Sequence, residues 1–417
     1  MEFEVKYNKS VIKFELNTNN YMGTLSEKSH KKTRKETEIL QESINNPIDS
    51  KSLEQIVKQG ERIAIVTSDI SRPMPSYKVL PLVIAKLVMA GIKEQDIMVV
   101  LALGSHRSHS EQEKRQLVGD SVYDSDVEIV DSDMDQCERL GMCRNGTPAD
   151  VFKPVTLADR VICLGNIEYH YFAGYSGGAK AIMPGVSSFE AIQANHKNMI
   201  HKEAYASNLE TNPVRQDIDQ VPEFLNIDFI VNVVLNQKKE IIGAFSGHWK
   251  SAHRSGCAFL DEIYGVEIEG LADVVIVSPG GFPKDLNLYQ AQKGLDNSRH
   301  AVREGGTILM CACAEEGFGE HTFETWMKTK SPKERIESIQ NKFKLGGHKA
   351  AAIGRIQERY QVILVSDMPR GLVEQIGFTY ASDMDQALSL AFETQGMDAK
   401  VLLMPSAGST LPLFKSS

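Results

Sequence analysis

A chain of 417 residues exceeds the roughly 250–300 residues at which single cores stop growing, so two or three domains are expected. With 42% apolar and 24% charged residues, the composition is that of an ordinary soluble globular protein, which excludes long disorder and collagen-like or coiled-coil fibres. A net charge of −9 argues against a nucleic-acid or acidic-membrane surface, and no apolar run reaches the ~18–20 residues that cross a bilayer.

The elements follow in chain order. Residues 1–16 alternate charged and apolar side chains with no apolar h-region, so no signal peptide is expected. The lysine-rich residues 28–35 read as a solvated face or loop. Residues 62–67 (RIAIVT) are a short β-branched run, a buried strand, and 77–90 carry apolar residues at helical spacing. Strands follow at 96–103 (DIMVVLAL), 127–130 and 160–164 (RVICL). Residues 229–235 (FIVNVVL) and 240–244 flank a turn-like Asn236-Gln237-Lys238, the pattern of a hairpin. A boundary is expected near 265–271, because a new βα series then starts: strands at 273–277, 306–311, 360–365 and 400–404. Ser331-Pro332-Lys333-Glu334 marks one helix start, with a cap, a first-turn proline and a capping-box glutamate. The expected fold is α/β, with two domains built on mixed or parallel Rossmann-like sheets and an active site in the cleft between them. The first domain is expected over 1–268 and the second over 272–404, with the tail 405–417 returning to the first. Six cysteines without a CxxC pair fit a reduced, cytoplasmic protein and no zinc ribbon.

Polar residues cluster where these strands end, which is where open α/β sheets bind ligands. After 62–67 come Asp69 and Arg72, either an exposed ion pair on a turn or an arginine fork for a phosphate or carboxylate. After 96–103 come Gly104, His106 and His109; His106 is the functional candidate and His109 the bystander. Residues 168–185 (EYHYFAGYSGGAKAIMPG) are the densest stretch. Here Gly174, Gly177 and Gly178 can turn amides toward an anion, Lys180 follows, and His170 lies ten residues upstream. The stretch is not a Walker A loop, since Ala179 and Ala181 flank Lys180. Ser187 and Glu190 match a capping box, which predicts a helix through 191–199 carrying His196. His196 is either a packed helical histidine or a metal ligand, and imidazole suits nickel, zinc, copper and iron. In the second series a helix is expected over 286–302. Tyr289, Gln290 and Lys293 fall in its first two turns, where Gln290 and Lys293 share a face and could hold a carboxylate or phosphate. The loop 315–320 with Trp326 could wall the site.

Together these pieces resemble the nickel-pincer lactate racemase family. The resemblance rests on DISRP from Asp69 to Pro73, GSHR around His106, His170 with GYSGGAKAIMPG around Lys180, His196, and NLYQAQK from Asn287 to Lys293. It runs in order across nearly the whole chain. It implies a racemase or epimerase inverting C2 of a 2-hydroxy acid, lactate by default, by proton-coupled hydride transfer. It also implies a nickel-bearing pyridinium-dithiocarboxylate mononucleotide linked through Lys180, with His196 completing the nickel coordination. His106 and His170 are implied as the acid/base pair. Arg72, Gln290 and Lys293 belong to the substrate and cofactor pocket, with Asp69, Gly177, Gly178 and Tyr289 close to the cofactor. Cofactor-synthesis or insertion proteins are the implied partners.

The chemistry needs such a group. The C2 hydrogen of an ionised 2-hydroxy acid is poorly acidic, and removing it as hydride calls for an electron sink that side chains lack. Two imidazoles suit the hydroxyl proton, because the enantiomers present their hydroxyls on opposite sides and imidazole ordinarily titrates near 6.5. Two other classes stay open on the residues alone. One is a phosphate-binding kinase or NTPase using Gly174–Lys180, and the other a non-catalytic nickel or cofactor carrier.

Overall fold

In the computed structural model, residues 1–26 and 34–414 are described. The expected solvated run at 28–35 lies, except for Arg34 and Lys35, outside these residues. The chain forms two compact units, one spanning Lys31–Leu260 and the other joining Met1–His30 to Asp261–Ser417.

In chain order the strands begin with β1 (Glu2–Tyr7), β2 (Ser10–Glu15) and β3 (Tyr21–Thr24). There follow β4 (Ile63–Ser68), β5 (Ile97–Ala102), β6 (Glu128–Asp131), β7 (Cys137–Met142), β8 (Pro148–Phe152) and β9 (Arg160–Asn166). Two-residue strands β10 (Tyr169–His170) and β11 (Gly174–Tyr175) precede β12 (Phe229–Leu235) and β13 (Ile241–Gly247). The remainder are β14 (Gly265–Ile268), β15 (Ala272–Val277), β16 (Val302–Cys311), β17 (Gln361–Val365), β18 (Thr379–Ala381), β19 (Val401–Met404) and β20 (Leu411–Phe414).

The unit Lys31–Leu260 is built on one mixed sheet, ordered β13-β12-β9-β4-β5-β6. β6, β5, β4, β9 and β12 run parallel, and β13 closes one edge as the antiparallel arm of the expected hairpin. Parallel strands covered on both faces read as continuous apolar runs. Ile63–Val66 of β4 and Val99–Leu101 of β5 are accordingly fully buried, and Ile63, Ile65, Val99 and Leu101 share a core with Val79, Leu80, Val83 and Leu87 of the helix Ser76–Met89. The parallel register aligns Thr67 with Leu101, so the loops after β4 and β5 leave the sheet side by side.

The other unit carries a fully parallel sheet, ordered β18-β17-β16-β15-β19-β3, with the β1–β2 hairpin packed into the same core. This differs from the expected division. The first residues do not join the 31–260 sheet, because β3 adds to the edge of β19, where Val401 N donates to Asn20 O and Leu25 N to Leu403 O. The tail does not return to the unit Lys31–Leu260 as expected: β20 pairs in parallel with β14, and both strands fall within the unit that joins Met1–His30 to Asp261–Ser417. The capping box at Ser331 and Glu334 is present and starts the helix Pro332–Asn341.

Candidate active site

In the unit Lys31–Leu260 the site is built on the carboxyl ends of β4, β5 and β9. Asp69 follows β4 and is buried. Its Oδ2 accepts from His106 Nδ1 at 2.7 Å, and its Oδ1 accepts from the Ser71 hydroxyl at 3.0 Å. An ionised carboxylate only accepts, so the His106 proton sits on Nδ1 and the Nε2 lone pair is the available one. Burial pushes the Asp69 carboxyl up. The hydrogen bonds from His106 and Ser71 and the charge of Arg72 outweigh it and hold the group below its ordinary range. Arg72 N donates to Asp69 O at 3.1 Å, closing the turn and leaving the Arg72 side chain exposed. Gly104 turns the chain after β5 with φ +54°, and its amide donates to Gly185 O at 2.9 Å. That bond ties the His106 loop to the end of the Lys180 stretch.

Beyond β9 the strands β10 and β11 pair, with His170 opposite Gly174. His170 Nδ1 accepts the Ala173 amide at 3.2 Å. The Phe172 ring meets the His170 ring edge-on at 4.5 Å and the His196 ring edge-on at 5.0 Å, so one buried aromatic separates the two imidazoles. His196 is buried at the last position of the helix Phe189–His196. That helix is capped by Ser188, whose side chain accepts from Ala191 N at 3.1 Å. The expected box at Ser187 does not form, because the Ser187 hydroxyl donates to Ile182 O and Glu190 pairs with Arg139.

Lys180 lies half-buried on the short turn Gly178–Ala181. Burial, then the charges of Arg72 and Arg215, lower its ammonium to about 7 against a weak opposing pull from Glu168. The glycines before it have packing roles. Gly178 N donates to Asn232 Oδ1 at 2.7 Å, so this amide is not offered to an anion as the sequence suggested. A Cβ on Gly177 would meet Asn232 Oδ1 at 2.7 Å, and one on Gly178 the His253 ring at 2.9 Å. Beneath this turn His253 donates through Nε2 to Ser176 O at 2.8 Å, and the buried Arg215 pairs with Asp219.

In the other unit Tyr289, Gln290 and Lys293 lie on the helix Leu288–Ser298, shorter than expected because β16 begins at Val302. Gln290 and Lys293 are exposed. The first-turn amides are already used: Leu288 N donates to Gly317 O, Tyr289 N to Phe318 O, and Gln290 N to Asn287 Oδ1. An anion here would therefore meet side chains, not the helix terminus. Lys349 Nζ donates to Tyr289 O at 2.8 Å and lies 3.9 Å from the centre of the Tyr289 ring. Burial, then the Lys293 charge, lowers Lys349 to about 8, with Asp296 opposing. Trp326 is buried in the helix His321–Thr329.

The structure thus joins Asp69 to His106, and His170 to His196 through Phe172, and places Lys180 in the field of Arg72. Sequence reading missed Ser71, Phe172, Asn232, Arg215, His253 and Lys349. Asn232 did carry a signal, as the one polar residue inside the apolar run 229–235. Among the described residues no group of three or more His, Cys, Asp and Glu side chains could hold a metal ion, and no helix is long and apolar enough to cross a membrane.

These features define a two-unit α/β protein with an aspartate-held histidine and a lysine lowered to about 7 at its strand ends. Comparison with known proteins makes this specific. Residues 7–208 match the lactate racemase N-terminal domain and residues 268–411 the lactate racemase C-terminal domain. The lactate racemase of Thermoanaerobacterium thermosaccharolyticum is 33% identical, covering 98% of each chain, and that of Lactiplantibacillus plantarum is 32% identical, covering 96% of this chain and 97% of that one. The structure of the T. thermosaccharolyticum lactate racemase apoprotein superposes with a TM-score of 0.86 at 31% identity, covering both chains fully. A Thermotoga maritima protein shares the fold at a TM-score of 0.63 and 17% identity. The chain belongs to the lactate racemase family.

Proposed function

We propose that this chain is a lactate racemase that interconverts the enantiomers of a 2-hydroxy acid by moving the C2 hydrogen as hydride and the hydroxyl hydrogen as a proton. The observation that carries the reading is the Asp69–His106 pair, a buried carboxylate fixing the imidazole tautomer that leaves Nε2 as the base. His106 accepts the substrate hydroxyl proton at Nε2. His170 serves the hydroxyl of the opposite enantiomer. A carrier would have no use for the Asp69–His106 pair, and a kinase or NTPase loop would not give its Gly178 amide to Asn232.

The residues present fit the nickel-pincer nucleotide. Lys180, lowered to about 7, offers a neutral amine at physiological pH for a thioamide link. The buried His196 offers one imidazole to nickel, and with no multi-residue metal cluster among the described residues the remaining donors would be the cofactor's own. When bound, the group supplies the electron sink that takes the C2 hydrogen as hydride. Arg72, Gln290 and Lys293 hold the substrate carboxylate and the cofactor phosphate.

The test is to purify the chain from a host that makes the cofactor. Intact mass and nickel content should show an adduct mapping to Lys180 with about one nickel per chain, and L-lactate should give D-lactate by chiral chromatography. A loaded protein that racemises other 2-hydroxy acids but not lactate would overturn the substrate assignment.

A further inference from the structure

His106 is not the only histidine after β5 held by an aspartate. Three residues on, His109 has a side chain 1% exposed, and its Nδ1 lies 2.6 Å from Asp131 Oδ1 at the end of β6. The His109 amide donates to the other oxygen of Asp131 at 2.9 Å. A carboxylate only accepts, so His109 carries its proton on Nδ1 and its Nε2 lone pair is directed elsewhere. That lone pair accepts the Ile70 amide at 3.1 Å. Ile70 is the residue after Asp69 and lies in the middle of the turn closed by Arg72 N and Asp69 O, with its side chain packed on the sheet core. The turn that presents Asp69, Ser71 and Arg72 is therefore gripped twice by neighbouring histidines, at the Asp69 carboxylate by His106 and at the Ile70 amide by His109.

We propose that His109 is a positioning residue, which with Asp131 behind it fixes the Ile70 amide and so sets the Asp69 carboxylate that orients His106. The assignment rests on reading His106 as an acid/base group. Nothing in the sequence pattern gave His109 this place. Its two nitrogens have different tasks, and the two amide substitutions separate them. In His109→Gln the longer side chain can bring an amide oxygen to the Ile70 N–H while giving up Asp131. In His109→Asn the shorter side chain can still donate to Asp131 but leaves the Ile70 amide without its acceptor.

The experiment uses the full chain labelled with 15N-histidine, with His106→Asn to assign the His106 signals. A long-range 1H–15N spectrum reads which His106 nitrogen bears the proton, and melting temperatures and racemisation kinetics are measured on the same variants. The expected result is that His109→Asn moves the His106 signals away from the Nδ1–H pattern and lowers kcat by about ten- to hundredfold, a part of the ~10²–10⁴-fold that a positioned acid/base group contributes. His109→Gln should keep both near those of the unsubstituted chain. Unmoved His106 signals in both variants would overturn the proposal, as would equal losses that track melting temperature. If the unsubstituted, cofactor-loaded chain racemises nothing while His109→Asn still shifts His106, the proposed function fails and the positioning of His106 stands.

Discussion

The Asp69 carboxylate accepts the Nδ1 proton of His106 at 2.7 Å, while its second oxygen takes the Ser71 hydroxyl at 3.0 Å. Both oxygens of a buried acid are thus engaged, one by the imidazole and the other by Ser71. Asp69→Asn keeps the shape but can turn an amide N–H toward Nδ1, favouring the tautomer that puts the proton on Nε2. Racemisation is expected to fall by about 10²–10⁴-fold, the share that a positioned acid/base group supplies, measured as kcat by chiral chromatography. The same pair gives a pH signature. The folded Asp69 pKa lies below the ordinary aspartate value of about 3.9, so its contribution to stability is complete above that value and is lost as pH falls through the folded pKa. The stability gap between the unsubstituted chain and Asp69→Asn should close in acid unfolding below about pH 4.

The lysine that follows the glycine turn makes stability rise with pH as well, but in a higher window and by removing a penalty that its buried charge imposes. Lys180 is lowered from 10.5 to about 7, so between those values the unfolded chain binds more protons than the folded one and stability rises with pH. Lys180→Met is expected to raise the melting temperature of the cofactor-free chain at pH 7 and below. The gain should shrink as pH rises toward 10.5. Acylation of Lys180 by an amine reagent, followed by peptide mass spectrometry, should show a midpoint near 7, well below that of exposed lysines. A midpoint among the surface lysines would refute both expectations.

Much of this site could be read from residues, and the part that could not has a common cause. β4, β5, β9 and β12 stand out because parallel strands covered on both faces are uninterrupted apolar runs, and the polar residues after them are at strand ends by position alone. β3 offers no such signal: its four residues YMGT become a strand only by pairing with β19, almost four hundred positions later. β18, with three residues, is of the same kind. Within the site, Asp69, His106, Lys180 and His196 were visible by residue type. Hydrogen-bond partners were not. Ser188 caps where Ser187 was expected because Ser187 finds Ile182 O instead, and the Gly178 amide is taken by an asparagine 54 residues away.

The glycines near Lys180 make a steric prediction. Gly174 has φ +76°, and a Cβ there would lie 2.3 Å from the carbonyl oxygen of Asn208; Gly178 has φ +61°, and its Cβ would meet the His253 ring at 2.9 Å. Backbone cannot give way as a side chain can. Both alanine substitutions are expected to cost about 1–3 kcal/mol, with Gly174→Ala the more costly. Urea unfolding at constant m reads the difference, and equal midpoints would contradict this packing.

The first turn of the helix Leu288–Ser298 separates structure from recognition. Asn287 is its cap, accepting Gln290 N at 3.0 Å, and the two preceding amides are given to Gly317 O and Phe318 O. With those donors occupied, anion recognition falls to exposed side chains. Asn287→Ala should therefore act on stability, lowering it by about 1 kcal/mol as a lost cap. Lys293→Met removes an exposed charge from the second turn of this helix. A hydrogen bond to a charged group is worth about 1.5–3 kcal/mol, so KM for the hydroxy acid should rise by about ten- to hundredfold with the melting temperature little changed. If Lys293 instead serves the cofactor phosphate, KM stays near normal and the fraction of chain carrying the Lys180 adduct falls, which intact mass resolves directly.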